Sequence, residues 1–265
     1  MKKILALVLA LVLCASMVCV ASAETALEKV LAAGKLVVGT EATYPPYEYL
    51  DDNANFAGCD IWLAQQIADA LGVKLEVVDQ AFDGIIPAVQ AGGVDIGIAA
   101  FTCTPERAEV IDFSDLYETS AQLLIVKAGN GEKYVDKESL KGLKVGAQLG
   151  TIQSGLVESA LPDSELFELD TYPNLALETV NGNIAGFVVD YAVGMSMVNS
   201  SDGALEVANF KFSAEEASFG KACVLAKGSD DLLAKVNEVI AKVTSDGSYQ
   251  AAYAAAVAAT GETGE

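Results

Sequence analysis

The chain has 265 residues, 52% hydrophobic and 20% charged, which is the composition of a globular protein with one large or two smaller domains. Its 37 acidic and 16 basic residues give a net charge of −21. This balance argues against nucleic acid as a partner, because binding a polyphosphate requires a basic surface. Histidine is absent, which excludes histidine-based catalytic triads and histidine-ligated metal sites. We expect no catalytic residue, no metal and no cofactor.

The first segment has the features of an export signal. Lys2 and Lys3 precede an apolar run from Ile4 to Val20, and Ala21-Ser22-Ala23 gives the small-x-small pattern of a cleavage site. We therefore predict a signal peptide over residues 1–23 and an extracytoplasmic mature protein. An uncleaved anchor is the alternative, because the apolar run is slightly long; the absence of a basic flank after it favours cleavage.

Cysteines in this chain are few. Cys14 and Cys19 invite a lipoprotein interpretation, but the preceding Leu13 and Val18 are larger than a lipid-attachment motif requires. The remaining number is odd and sparse for an exported protein, so no disulfide framework is implied. We predict three buried free thiols: Cys59, Cys103 and Cys223.

Strands and helices alternate in the first part of the mature chain. A short helix over TALEKVLAAG leads into a strand from Lys35 to Gly39, and Pro45-Pro46 makes the next segment a loop. DIWLAQQIADALGV is an amphipathic helix that ends at Gly72, followed by the strand KLEVVDQ, the helix FDGIIPAVQAGG and the short strand VDIGIAA. This alternation predicts parallel βαβ units in an α/β fold.

Two long extended runs divide the rest of the chain. YETSAQLLIVK lacks a helical period, and after it LKGLKVGAQLGTIQSGLVESAL repeats the strand–turn–helix design, with FELDTYPNLALETVNGNIAGFVVDYAVGMSMV adding two further strands and helices. SFGKACVLAKG is the second run, and two terminal helices follow it. We predict one lobe over residues 24–118, a second over 119–215 and a return to the first over 216–265. Two antiparallel crossings then form a hinge, with a ligand cleft between the lobes.

Five segments along nearly the whole mature chain carry a family resemblance: LVVGTEATYPPYEYLDDNANFAGCDIWLAQQIADALG, FDGIIPAVQAGGVDIGIAAFTCTPERAEVIDFS, GLKVGAQLGTIQ, GFVVDYAVG and SFGKACVLAKGSDDLLAKVNEVIAKVTSDGSY. They resemble extracytoplasmic solute-binding proteins of the polar amino-acid family, family 3, which serve ATP-binding-cassette (ABC) importers. The Thr-x-Thr-x-Glu-Arg…Asp-Phe-Ser block is specific to that family. The resemblance implies the type II periplasmic-binding-protein fold: two α/β lobes, each a sheet flanked by helices, and a two-strand hinge.

Arg107 is the only arginine in the sequence, and it lies where a strand runs into a helix. A planar guanidinium pairs with a carboxylate in bidentate fashion, and free N–H groups at the start of the helix after QLGT favour an anion. The resemblance implies four residues that hold the α-carboxylate of a ligand: Arg107, Thr102, Thr151 and Ile152. The alternative for Arg107 is a surface ion pair with Glu106 or Glu109.

Asp190 closes the apolar strand GFVVD, at the strand end where ligands bind in open α/β sheets. The resemblance implies that the ligand α-ammonium is held by Asp190, Thr102 and the carbonyl of Ala100. The alternative for Asp190 is a cap on the next helix.

The ligand side chain is assigned to Glu41, Tyr44 and Phe82, which match family positions, and to Gln148 of the turn QLGTIQ. Tyr44 and Phe82 are expected to sandwich an aliphatic or guanidinium stem, with a cation–π gain if it is charged. Glu41 suits a cationic or amide end. Core packing is the alternative for Phe82.

These features predict a monomer that captures a free polar or basic amino acid in the cleft, closes around it and delivers it to an ABC permease. One alternative is a periplasmic cyclohexadienyl dehydratase-like enzyme on the same fold, with Glu41 as general acid; no second catalytic group is evident in the sequence. A second is the ligand-sensing domain of a receptor, which we disfavour because AATGETGE is followed by neither a membrane helix nor a signalling domain.

Overall fold

A computed structural model of the chain describes residues 24–217 and 219–261. The predicted signal peptide, with Cys14 and Cys19, lies outside the described residues. Among the helices within these ranges, none combines the length and the apolar character needed to span a bilayer.

The first part of the chain alternates between strands and helices: α1 (Ala26–Ala33), β1 (Lys35–Thr40), β2 (Thr43–Tyr44), β3 (Glu48–Leu50), β4 (Phe56–Ala57), α2 (Cys59–Leu71), β5 (Lys74–Asp79), α3 (Phe82–Gln90), β6 (Ile96–Gly97), α4 (Pro105–Val110) and β7 (Ile111–Phe113). The middle part follows the same design: β8 (Glu118–Ser120), β9 (Gln122–Lys127), two 3-10 turns (Gly131–Lys133 and Glu138–Leu140), β10 (Lys144–Gln148), α5 (Ile152–Ala160), β11 (Glu165–Leu169), α6 (Tyr172–Asn181), β12 (Gly186–Asp190), α7 (Tyr191–Ser200), β13 (Leu205–Val207) and α8 (Ala214–Ala217). The last part comprises β14 (Phe219–Lys221), β15 (Val224–Ala226), α9 (Asp230–Ser245) and α10 (Ser248–Ala259).

Two five-stranded sheets organise the molecule, with strand orders β5-β1-β6-β15-β7 and β11-β10-β12-β9-β13. We call them, with their flanking helices, the first and second lobe. The predicted parallel units are present, since β1 runs parallel to β5 and β6, and β10 to β11 and β12. In contrast, β15 and β9 run antiparallel to their neighbours. Each follows a crossing strand and enters its sheet from the cleft side, so it runs opposite to strands that end there.

The two predicted crossings are the short strands β8 and β14, which pair antiparallel with Glu118 opposite Lys221. Each predicted extended run is therefore two strands: one crosses between the lobes and the next joins a sheet. This confirms the two-lobed architecture with a two-strand hinge.

Helix α2 illustrates how the sequence pattern builds the first lobe. It ends at Gly72, which adopts a left-handed φ of +69° and donates its N–H to carbonyls of the last turn. The apolar face with Leu63 and Ile67 is fully buried. The terminal helices pack on this helix and contribute Val236 and Ile240 to the same core, so the chain returns to the lobe where it began.

Some features differ from the sequence expectations. The segment predicted as a loop around Pro45-Pro46 contains a small three-stranded sheet, β2-β3-β4. Cys59 and Cys223 are buried free thiols as predicted, but Cys103 is half-buried. It lies in coil between β6 and α4, one residue before the helix cap Thr104.

Candidate ligand-binding cleft

A cavity lies between the two lobes. Its walls form where parallel strands end: Glu41 follows β1, while Gln148 ends β10 and Asp190 ends β12. All ten residues predicted as ligand contacts line it: Glu41, Tyr44, Phe82, Ala100, Thr102, Arg107, Gln148, Thr151, Ile152 and Asp190. Four further residues complete the lining: Glu48, Ala99, Gln153 and Lys221.

Arg107 presents a half-buried guanidinium to this cavity. It donates hydrogen bonds of 2.9 Å to the carbonyl oxygens of Thr102 and Gly150. Its ring neighbours are Phe82 and Phe101, each with a centroid 5.5 Å away. Burial lowers the pKa of Arg107 to about 10, so the group stays cationic at neutral pH. No carboxylate of the described residues lies within ion-pair distance of it, and the surface ion pair considered above is therefore not formed among them.

Asp190 is fully buried and faces the cavity instead of capping α7. Its Oδ2 accepts hydrogen bonds from the Tyr44 hydroxyl at 2.6 Å and the Lys221 ammonium at 2.5 Å. Its Oδ1 accepts one from the Gln122 amide at 2.6 Å, and Gln153 in turn donates to Gln122 at 2.8 Å. The carboxylate is thus held as an acceptor by donors from both lobes and the hinge.

Glu41 forms a second link between the lobes. Its carboxylate accepts from the Thr43 hydroxyl at 2.5 Å and, more weakly, from the Gln148 amide of the second lobe at 3.4 Å. Gln148 is itself fixed by a 2.8 Å bond to the carbonyl of Asp170. Burial raises the pKa of Glu41, against the opposing effect of these two donors.

The two predicted aromatic contacts line the cavity but also have protein neighbours. The Tyr44 ring lies 5.2 Å from that of Tyr172, and the Phe82 ring lies 4.7 Å from that of Phe101. Tyr44 also stacks on Tyr47, with ring centroids 5.9 Å apart, and the Arg107 guanidinium lies over the Phe82 ring. Both rings therefore contact more than one protein group, and the sandwich around a ligand stem stays a prediction.

The start of α5 lies at the cavity wall. Thr151 precedes the helix, but its hydroxyl donates to the carbonyl of Gln148 at 2.7 Å instead of capping the first turn. The first N–H groups of α5, beginning with Ile152, have no side-chain cap within the described part of the chain. Such groups at a helix N-terminus attract an anion.

A buried acidic layer supports the cavity from the first lobe. Asp60 accepts from the backbone N–H of Ala100 at 2.7 Å and from the Tyr117 hydroxyl at 2.9 Å, and this holds Ala100 at a positive φ of 46°. Glu48 hydrogen-bonds to Asp60, and burial together with the Asp60 charge raises the pKa of Glu48 well above its ordinary value. Glu48 Oε2 and Asp60 Oδ1 are both buried and receive no hydrogen bond from a donor group of the described residues.

Lys221 is the most consequential residue that the sequence analysis missed. It is 1% exposed, and it sits on β14 beside Thr102, to which it forms a bridge. The available signal was a lysine inside the apolar run FGKACV. Lysine is almost never fully buried unless it is paired, so a lysine in such a run indicates a buried partner. Glu48, Gln153 and Gln122 carried no comparable sequence signal.

Two α/β lobes joined by crossing strands, with a charged cavity at the carboxyl ends of the parallel strands, define a two-lobed ligand-binding protein. The sequence matches the family described as "Bacterial extracellular solute-binding proteins, family 3" over residues 36–257. The chain belongs to this family, and the resemblance inferred from its motifs is confirmed.

Individual relatives agree with this assignment. The L-cystine-binding protein TcyJ of Escherichia coli (strain K12) is 32% identical over 228 residues, which cover 86% of this chain and 84% of TcyJ. The crystal structure of the amino acid ABC transporter substrate-binding protein AbpA from Streptococcus pneumoniae Canada MDR_19A, bound to L-arginine, matches with a TM-score of 0.84 and 31% identity over 89% of this chain and all of AbpA. The ancestral amino acid-binding protein AncCDT-1, a precursor of cyclohexadienyl dehydratase, matches with a TM-score of 0.79 and 33% identity over 87% of this chain and 98% of its own.

Proposed function

We propose that this protein binds one free amino acid with a polar or cationic side chain in the interlobe cavity and delivers it to the permease of an ABC importer. The observation that carries the proposal is the Arg107 guanidinium, which lines the cavity and has no carboxylate partner among the described residues. A half-buried cation that contacts carbonyl oxygens and aromatic rings but no counter-charge is best completed by an anion.

The α-carboxylate is assigned to the Arg107 side of the cavity. Arg107 and Thr102 approach it from the first lobe, and Thr151 with the first N–H groups of α5 from the second. Hydrogen bonds to charged groups contribute roughly 1.5–3 kcal/mol each. A ligand that connects both lobes gains contacts in the closed state that the open state lacks, which favours closure.

The α-ammonium is assigned to Asp190, with Thr102 and the carbonyl of Ala100 nearby. The side chain is assigned to Glu41, Tyr44, Phe82 and Gln148. Glu41 suits a cationic or amide group, in keeping with relatives named as cystine-, arginine- and histidine-binding proteins. These roles are supported by the common lining of one cavity.

We further propose binding without turnover. A dehydratase on this fold would need Glu41 as a proton donor, whereas relatives named as L-cystine-binding and arginine-binding proteins support binding alone. Incubation with prephenate and arogenate is expected to leave both compounds unchanged, and their conversion would contradict this part of the proposal.

The cellular setting is also part of the proposal. A family 3 protein acts outside the cytoplasm, and we propose that cleavage after Ala23 releases it as a monomer. We also propose that the chain passes from the first lobe to the second after residue 118 and returns to the first after residue 215.

A thermal-shift panel tests the proposed function. The mature protein, from Glu24 onward, is unfolded and refolded to strip bound ligand, then heated with each common amino acid, ornithine and cystine. A ligand that binds only the folded state must raise the melting temperature. A shift with a polar or basic amino acid is expected, and no shift with any compound in the panel would contradict the proposal.

A further inference from the structure

The position assigned to the ligand ammonium already contains a cation. The ammonium of Lys221 lies 2.5 Å from Asp190 Oδ2, and both side chains are 1% exposed. Tyr44 shares the same carboxylate oxygen, and Gln122 occupies the other. Asp190 thus has its charge neutralised and both oxygens hydrogen-bonded by groups of the protein itself.

A second ammonium does not fit beside the first without cost. Two monovalent cations on one buried carboxylate repel each other, and the low dielectric of the interior strengthens that repulsion. Displacing Lys221 without a new partner is equally unfavourable, because a buried charge needs a counter-charge. An amino acid can therefore use Asp190 only if Lys221 moves to another acceptor.

Acceptors for Lys221 are present on its other side. Glu118 is its register partner on β8, and Glu48 lines the same cavity with a buried Oε2 that receives no hydrogen bond from a donor group. Asp60 lies behind Glu48, and the positive charge of Lys221 acts on all three acids. The Tyr47 ring lies 5.8 Å from the ammonium on the same side.

We propose that Lys221 is an internal competitor for the ligand α-ammonium: it neutralises Asp190 in the empty protein and turns towards the Glu48 and Glu118 carboxyl groups when an amino acid binds. Lys221 is in this sense a specificity-determining residue, since it lowers affinity for ligands with an α-ammonium and not for ligands without one. The inference rests on the proposed function, because it assumes an amino-acid ligand.

The test is the variant Lys221→Met, which keeps an unbranched side chain of similar length and removes the charge. Binding is measured by calorimetry with two matched pairs: L-arginine with 5-guanidinopentanoate, and L-glutamine with glutaramate. Each second compound lacks only the α-amino group. Lys227→Met is the control, because Lys227 pairs with Asp112 at the surface, outside the cleft.

Lys221→Met is expected to bind the amino acid of a pair at least about tenfold more tightly than the wild type, with affinity for the des-amino compound unchanged or lower. Lys227→Met is expected to change neither. Unchanged or weaker amino-acid binding by Lys221→Met, with normal binding by the wild type, would overturn this inference alone. If no amino acid in the panel binds to either the wild type or Lys221→Met, both the proposed function and this inference are overturned.

A crystal structure of the wild type with the bound amino acid gives an independent answer if Lys221→Met does not fold. The Lys221 ammonium is expected to lie beyond about 4 Å from both Asp190 oxygens, outside ion-pair range. A retained ion pair alongside the ligand would overturn the inference.

Discussion

Arg107 of the first lobe donates a 2.9 Å hydrogen bond to the carbonyl oxygen of Gly150 in the second. The same glycine lies against Asp83 of the first lobe: a Cβ added at Gly150 would lie 2.9 Å from the Asp83 Cβ. Gly150 also has a left-handed φ of +76°. The two lobes can therefore approach this closely at position 150 only because the residue there has no side chain.

Gly150→Ala is expected to weaken amino-acid binding, because the added methyl group separates the lobes where the ligand requires them closed. It is also expected to lower stability through backbone strain of about 1 kcal/mol. Gly182→Ala is the matched control: Gly182 has φ +78° and nothing within 4 Å of an added Cβ.

Calorimetry and thermal unfolding separate the two effects. Both variants are expected to lose similar stability, but only Gly150→Ala is expected to lose affinity. Equal affinities for Gly150→Ala and the wild type would show that closure does not bring Gly150 against Asp83.

The buried ion pair between Lys221 and Asp190 predicts a stability effect in the empty protein. Asp190→Asn removes the counter-charge of a buried ammonium, which costs on the order of 3–5 kcal/mol when no other acceptor is near. Because Lys221 can turn towards Glu118, its register partner, we expect a loss below that range but above about 1 kcal/mol. Asp112→Asn removes the partner of the exposed Lys227, where a loss of at most about 1 kcal/mol is expected. Urea unfolding of the ligand-free proteins measures both, and equal losses would contradict the account of Asp190.

Glu41 predicts which ligands the cavity prefers. Glu41→Gln removes a negative charge while retaining shape, so affinity for L-arginine or L-lysine is expected to fall by about tenfold or more, a change of about 1.4 kcal/mol. Affinity for L-glutamine is expected to change far less. Calorimetry with these three amino acids checks the prediction. Equal changes in affinity for the cationic and neutral ligands would contradict the assignment of Glu41 to the side-chain pocket.

Glu118 predicts how stability depends on pH. Burial raises the pKa of Glu118 from 4.5 to about 7, against the hydrogen bonds it accepts from Tyr47 and Tyr249. The folded state thus binds this proton more tightly than the unfolded chain. The corresponding stabilisation, roughly 3 kcal/mol, is complete below pH 4.5 and is lost as pH rises through about 7.

Glu118→Gln removes this titrating group and is expected to flatten the decline in unfolding free energy between pH 5 and about 8. Denaturant unfolding at several pH values measures the slope for both proteins. Burial also raises the pKa values of Glu48 and Asp60. We therefore expect part of the pH dependence to remain in Glu118→Gln. Identical slopes for wild type and variant would assign the effect to other groups.

Much of the fold was predictable because strong local patterns agree with the tertiary structure. The apolar face of α2, the glycine that ends it and the alternation of strands and helices all appear as the sequence indicates. The direction of β9 and β15 was not predictable in this way. The direction depends on the side from which the chain enters each sheet, and the hydrophobic periodicity of the sequence carries no information about that side.

The predicted lining of the cavity was found by motif and by position at strand ends, and its ten residues do meet in one cavity. The hydrogen-bond partners were not predictable. Lys221 contacts Asp190 although the two residues are 31 positions apart in the chain. Lys221 lies on a hinge strand, and the neighbours of that strand are defined only in the assembled fold. Glu48 and Asp60 likewise meet only because α2 packs beside β3.

The most direct test of the central claim is the calorimetric affinity of Arg107→Ala for the amino acid that stabilises the wild type most. Two hydrogen bonds to a carboxylate, at roughly 1.5–3 kcal/mol each, predict a loss of more than about a hundredfold, with partial retention in Arg107→Lys, which keeps the charge but not the planar fork. Unchanged affinity in Arg107→Ala would contradict the claim that this guanidinium holds the ligand carboxylate.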